Sequence, residues 1–232
     1  MQDNHYGIFN GNHLKLVAAF AMLLDHGGIL LFPRVQLLRV VGRIAYPIFA
    51  FMIAEGCRHT KNRLRYFLLV FGLGTGCQLV YYLASGDTYL NILLTFSLSI
   101  LLIYLLQEAC RAQTWQKQAL WSALLCTGFI GVYGLNEVLT IDYGFWGIMI
   151  PVFVAFSQEK GKTGSKLPVL MMFAGLLLLT ADLGGIQHYA LLALPLLLLY
   201  NGQRGKYRTK YFFYIFYPVH LAVLQGIAWL VR

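Results

Sequence analysis

Apolar runs long enough to cross a lipid bilayer recur from one end of this chain to the other, and nothing else in the sequence constrains the fold as strongly. A helix needs roughly 20 mostly apolar residues to span the hydrocarbon core. Inside lipid, each backbone N–H and C=O must be satisfied within the helix or in a closed barrel. The runs cover 14–32, 37–57, 66–84, 90–109, 118–135, 142–158, 167–183, 187–200 and 211–231. They predict an all-α, polytopic integral membrane helical bundle of about nine transmembrane helices, the eighth being short. One transmembrane domain over 1–232 is expected, with no soluble domain attached. Composition agrees, because charged residues are 12% of the chain, against about 25% in soluble domains, and mean hydropathy is +0.64. Asp3, Asn4 and His5 ahead of Leu14 form no basic leader and no cleavage site, so the first helix reads as the insertion signal.

The net charge of +9 would suggest nucleic acid as a partner for a soluble protein. Here the basic residues lie between the apolar runs, where they set orientation, and no nucleic-acid partner is expected. Arg58, Lys61, Arg63 and Arg65 follow the second run, and Arg111 and Lys117 the fourth. Lys160, Lys162 and Lys166 follow the sixth, and Arg204, Lys206, Arg208 and Lys210 the eighth. The intervening loops carry mainly Asp87, Glu137, Asp142 and Asp182, with Arg34 and Arg39 near the first hairpin. The positive-inside rule then puts the N-terminus inside and the C-terminus outside. Cys57, Cys77, Cys110 and Cys126 have no CxxC spacing, so no metal site is expected. Gly72 and Gly76, and the series Gly128, Gly131 and Gly134, are candidates for close helix approach.

A charged side chain at the centre of a membrane helix costs about 2.5–3.5 kcal/mol on insertion scales, so each one needs a partner, a water-filled cavity or a function. Asp25, His26, Arg43 and His220 are such residues. At 1.5 Å per residue, Asp25 lies about 16 Å beyond the inner start of its span and Arg43 about 9 Å below the outer start of the next. His220 lies about 14 Å from the inner surface. The four share one layer if their helices meet. Adjacent helical residues point about 100° apart, so Asp25 can pair with Arg43 while His26 faces a cavity. One reading is a buried ion pair that fixes packing, with the histidines as interior donors. The other is a reaction centre, since histidine suits a general base and guanidinium suits charge stabilisation in acyl or phosphoryl transfer.

A second polar group marks the inner end of the second run, where Glu55 precedes Arg58 by three residues and His59 by four. Snorkelling charges are ordinary there. The alternative is that Arg58, Lys61, Arg63 and Arg65 attract an anionic cytosolic donor such as coenzyme A. No glycine-rich phosphate loop is present, which argues against an ATP-driven pump. Pro47 and Pro218 interrupt the helical hydrogen bonding of their spans.

These residues bring a family into view. Leu14-Lys15 with Asp25-His26-Gly27, Gly42-Arg43-Ile44-Ala45-Tyr46-Pro47-Ile48-Phe49 leading to Glu55-Gly56, and His59-Thr60-Lys61-Asn62 form its first part. Asn91, Asp142-Tyr143-Gly144, and Phe213-Tyr214 through Tyr217-Pro218-Val219-His220-Leu221 continue it. The pattern resembles the TraX family of membrane proteins, whose named member acetylates pilin, and is similar to wider groups of membrane acyltransferases. The resemblance implies a bacterial plasma-membrane protein that takes acetyl from acetyl-CoA. The acceptor would be a pilin, another exported peptide or a surface glycan at the outer side. His26 or His220 would be the base, with Asp25 and Arg43 completing the catalytic group. Arg58, His59, Lys61, Arg63 and Arg65 would bind the donor, and Asn91, Asp142, Tyr143, Glu55 and Tyr217 the acceptor. Two other classes fit the same polar residues: a proton-coupled transporter and a noncatalytic membrane assembly factor.

Overall fold

The computed structural model describes residues 7–161, 165–206 and 210–231; Asp3, Asn4, His5, Lys162 and Arg208 lie outside the described residues. The regular elements are helices: α1 (Gly11–Leu30), α2 (Gln36–Gly42), α3 (Ala45–His59), α4 (Arg63–Ser85), α5 (Ile92–Arg111), α6 (Trp115–Val138) and α7 (Gly144–Lys160). They continue with α8 (Leu167–Leu183), a 3₁₀ helix (Gly185–Ala193), α9 (Leu194–Leu198) and α10 (Lys210–Val231). Extended pairing among the described residues is confined to two isolated bridges, Phe9 with Tyr200 and Leu90 with Ile141.

Each apolar run of the sequence coincides with one helix or with a consecutive pair. By length and composition, α1, the α2–α3 stretch, α4, α5, α6 and most of α10 can cross a bilayer. The all-helical membrane bundle is therefore the fold. The other runs form shorter helices: α7 and α8 have 17 residues each, and the eighth run is the 3₁₀ helix followed by the five-residue α9.

The second run is two helices, separated at Arg43-Ile44. Pro47 explains the break, because proline has no N–H and its ring clashes with the carbonyl four residues earlier, here that of Arg43. In α10 the helix continues through Pro218.

The chain folds into two compact units, Met1–Met52 with Thr180–Arg232, and Ile53–Leu179. In unit one, α1 packs against α2 and α10, and α2 meets the 3₁₀ helix. Asn10 caps α1, accepting from the N–H groups of Asn12 and His13 at 3.0 Å each. Gly42 lets α2 approach α1 closely, since a Cβ there would sit 2.3 Å from Asp25 Cβ.

In unit two, α5 is the central helix and packs against α4, α6 and α7. Its apolar window is 56% buried, whereas those of α4 and α6 are 11% buried, so the latter two offer most of their surface to lipid. Thr95, Ser97 and Ser99 keep α5 slim, and Ser99 Oγ donates to Ile148 O of α7 at 2.8 Å. Among the glycines in close contact are Gly56, where an added Cβ would meet the Tyr66 hydroxyl at 2.3 Å, and Gly74, Gly128 and Gly175, where it would meet Leu93, Leu102 and Ile150 at 3.1, 2.9 and 2.7 Å. Gly72, Gly76, Gly131 and Gly134 have nothing within 4 Å of that position, so of the glycines singled out in sequence Gly128 alone makes a tight approach.

Candidate functional site

The polar centre of unit one is built from α1 outward. Asp25 is 8% exposed in the second half of α1, a helix whose other buried positions are apolar, glycine or the terminal Asn12. Its carboxylate receives two guanidinium groups: Arg39 Nε donates to Oδ1 at 3.0 Å, and Arg43 Nη2 donates to Oδ2. Arg39 and Arg43 are four residues apart, so α2 presents both on one face. Arg43 also donates from Nη1 to Gln187 Oε1 of the 3₁₀ helix at 3.2 Å. The Pro47 break bears directly on this arrangement, because it places Arg43 at the end of α2, with its backbone N–H on Arg39 O and Val40 O. One carboxylate between two guanidiniums leaves the cluster with one formal positive charge in excess, an environment that favours a developing anion.

The histidines meet each other. His26 Nδ1 lies 2.9 Å from His220 Nε2, and His220 Nδ1 donates to the Phe216 carbonyl at 2.8 Å. His220 is 5% exposed, with the Phe216 ring stacked on it at 4.7 Å and Tyr217 edge-on at 5.9 Å. A carbonyl can only accept, so His220 carries its proton on Nδ1 and presents Nε2 as an acceptor. His26 therefore donates from Nδ1, which leaves the lone pair of neutral His26 on Nε2. Asp25 serves the ion pair and not the histidine ring: both its oxygens are taken by arginines, and His26 is oriented by His220.

The remaining sequence candidates, Tyr217 apart, belong to unit two. Glu55, 9% exposed, accepts from Gln158 Nε2 at 2.6 Å and lies 3.3 Å from His59 Nε2 and 4.0 Å from Arg58 Nη1. Arg63 pairs with Glu108 and lies 5.3 Å over the Tyr104 ring. Arg58, His59, Lys61 and Arg65 are exposed around the α3–α4 turn. Asn91 caps α5, accepting from Leu93 N, and its amide donates to Gly74 O and Gln78 Oε1. The Leu90–Ile141 bridge brings Asn91 to the same end as Asp142, whose carboxylate accepts from Tyr89 Oη at 2.8 Å. Tyr143 follows at φ 61, a backbone conformation rare for an aromatic residue.

A family model described as TraX protein matches residues 10–228. The chain belongs to the TraX family. A probable fimbrial assembly protein, FimC of serogroup H1, from Dichelobacter nodosus is 30% identical over 250 aligned positions, covering 93% of this chain and 94% of that protein. A 38-residue stretch is 47% identical to an uncharacterized protein of Rickettsia prowazekii, covering 16% of this chain and 15% of that one. No solved structure matches the chain.

Two members of the polar centre of this TraX protein escaped the sequence reading. Arg39 was assigned to orientation alone, although its four-residue spacing from Arg43 was a usable signal. Gln187 is a neutral polar residue in an apolar stretch, and a search for membrane-buried charge passes over it.

Proposed function

We propose that this TraX-family protein is a membrane-embedded acetyltransferase of the bacterial plasma membrane. It moves acetyl from acetyl-CoA to an amine or hydroxyl of a pilin, another exported peptide or a surface glycan. The observation that carries the reading is the directed chain Phe216 O–His220–His26, which leaves His26 Nε2 as a bare nitrogen base one residue from an Asp25–Arg39–Arg43 cluster. The acceptor's N–H or O–H gives its proton to His26 Nε2 as the heteroatom attacks the thioester carbonyl carbon. Cleavage of the C–S bond then releases the thiolate, which takes the proton back from His26. His220 holds the His26 tautomer, and Arg43 orders Asp25 while its charge stabilises the oxyanion. Within unit two, exposed Arg58, Lys61 and Arg65 form a basic turn of a kind that suits phosphate, and Asn91, Asp142 and Tyr143 stay as sequence candidates for acceptor contacts.

The test is acetyl-CoA binding and slow thioester hydrolysis by the detergent-purified protein. Saturable binding is expected in wild type, with turnover lost in His26→Ala and reduced in His220→Ala while both variants still bind. A folded wild-type protein that neither binds nor cleaves acetyl-CoA overturns the reading. The name of the Dichelobacter relative, a probable fimbrial assembly protein, favours a second reading, a noncatalytic role in fimbrial assembly. That reading predicts that His26→Ala leaves assembly intact.

A further inference from the structure

We propose that the Gln187 side-chain amide donates a hydrogen bond to the carbonyl oxygen of a bound acyl thioester, an assignment that rests on the acetyl-transfer reading above. Gln187 is 5% exposed. Its Oε1 accepts from Arg43 Nη1 at 3.2 Å, whereas its Nε2 is buried and has no hydrogen-bond partner among the described residues. The two ends of this amide cannot exchange places. Turning it over would set the NH₂ group against a guanidinium that can only donate, so Arg43 fixes Oε1 toward itself and commits Nε2 to be a donor directed elsewhere. A buried donor without an acceptor is costly, and native structures keep few of them.

The backbone beneath Gln187 is unusual as well. It belongs to a 3₁₀ helix of nine residues, where runs beyond about four are uncommon. That helix begins at Gly185, φ 56, directly after Gly184, φ 62. The Gln187 backbone N–H already donates to Gly184 O at 3.1 Å, so the side chain is not needed to cap the turn. A single guanidinium, that of Arg43, connects this donor to Asp25, the residue before the proposed base.

A thioester oxygen is the acceptor such a donor suits. It is neutral before attack and anionic in the tetrahedral intermediate, so a donor already in place strengthens its bond without reorganising. As the acceptor heteroatom bonds to the carbonyl carbon, its proton passes to His26 Nε2 and the π electrons move to oxygen. They return when the C–S bond breaks and the thiolate recovers the proton. Gln187 keeps its own proton throughout, and Arg43, held by Asp25 and Gln187, positions the donor.

The experiment is isotope-edited infrared spectroscopy of acetyl-CoA labelled with ¹³C at the carbonyl, bound to the full-length protein in detergent, together with turnover. Gln187→Glu keeps an oxygen for Arg43 and replaces the donor by an acceptor; Gln187→Met keeps similar volume without either. Thermal unfolding checks that both fold. The carbonyl stretch of the bound thioester is expected below its value in water for wild type and to rise in both variants, with kcat lowered about 100-fold and donor affinity little changed. A wild-type band that is shifted but unaffected by either substitution, with unchanged kcat, overturns the Gln187 assignment alone. Absence of any bound-thioester band in folded wild type overturns the acetyl-transfer reading and this assignment together.

Discussion

Unit one holds a carboxylate, Asp25, partway along an apolar helix and a buried arginine at the break between α2 and α3, whereas unit two holds its ion pairs at helix ends near water. Asp25 and Arg43 have side chains 11% and 12% exposed. Arg63 and Glu108 are 35% and 40% exposed, with Arg63 opening α4 and Glu108 in the last turn of α5. Arg111, 50% exposed, ends α5 and makes a two-pronged contact with Glu159 near the end of α7. Charges at helix ends reach water at little cost, and pairs between them contribute about 0–1 kcal/mol. Asp25 and Arg43 cannot use that escape, whereas Arg39, 34% exposed, can. The two buried ions must satisfy each other, and a packed apolar substitute would hold the helices as well or better. In unit two the carboxylates Glu55 and Glu159 are 11% and 13% exposed, but the cations they meet, Arg58, His59 and Arg111, are 38% to 63% exposed, so none of these is buried as Arg43 is. A buried pair kept against that gradient argues for chemistry.

The largest effect that would sharpen this contrast is on turnover. His26→Ala is expected to lower acetyl-CoA cleavage about 10²–10⁴-fold, measured by thiol release with binding checked separately. Turnover equal to wild type would reduce the unit-one cluster to a packing device. Next comes stability. Arg43→Met removes one partner of a buried carboxylate and is expected to destabilise the protein by about 3–5 kcal/mol, whereas Arg111→Met should cost about 1 kcal/mol or less. Thermal unfolding in detergent reads both, and equal shifts would erase the distinction between the regions. Gly42→Ala tests how closely α2 must approach α1. The added Cβ meets Asp25 at 2.3 Å, and about 1–3 kcal/mol of destabilisation is expected from overpacking. An effect as small as that of Arg111→Met belongs to Asn91→Ala in unit two, about 1 kcal/mol from loss of the α5 cap. A loss of turnover there without loss of stability would support Asn91 as an acceptor contact.

Much of the unit-one cluster was legible from depth along the helices. Counting rise per residue put Asp25, Arg43 and His220 near one level, and the structure joins Asp25 to Arg43 and His26 to His220. The count missed the division of labour. Depth pairs Asp25 with Arg43 but gives no sign that Arg39 occupies its second oxygen. The glycine pattern misled for a related reason: spacing marks a smooth face, but whether another helix lies against it depends on which face is turned inward. Gly74, outside the pattern singled out, lies against α5, while a Cβ added at Gly72 or Gly76 on the same helix would meet nothing within 4 Å among the described residues.

The sequence by itself determined the helices, their membrane-spanning character and the family pattern. These follow from local energetics, namely backbone satisfaction in lipid, the apolar length of each run, and prolines acting on carbonyls four residues back. Tertiary structure alone decided which nitrogen of which histidine faces the other, which arginines share Asp25, and that Gln187 keeps an amide N–H without a partner among the described residues. Those contacts join residues as far as 194 positions apart. A hydrogen bond is gained or lost over a fraction of an ångström, a precision that only the packing of α1, α2, the 3₁₀ helix and α10 supplies.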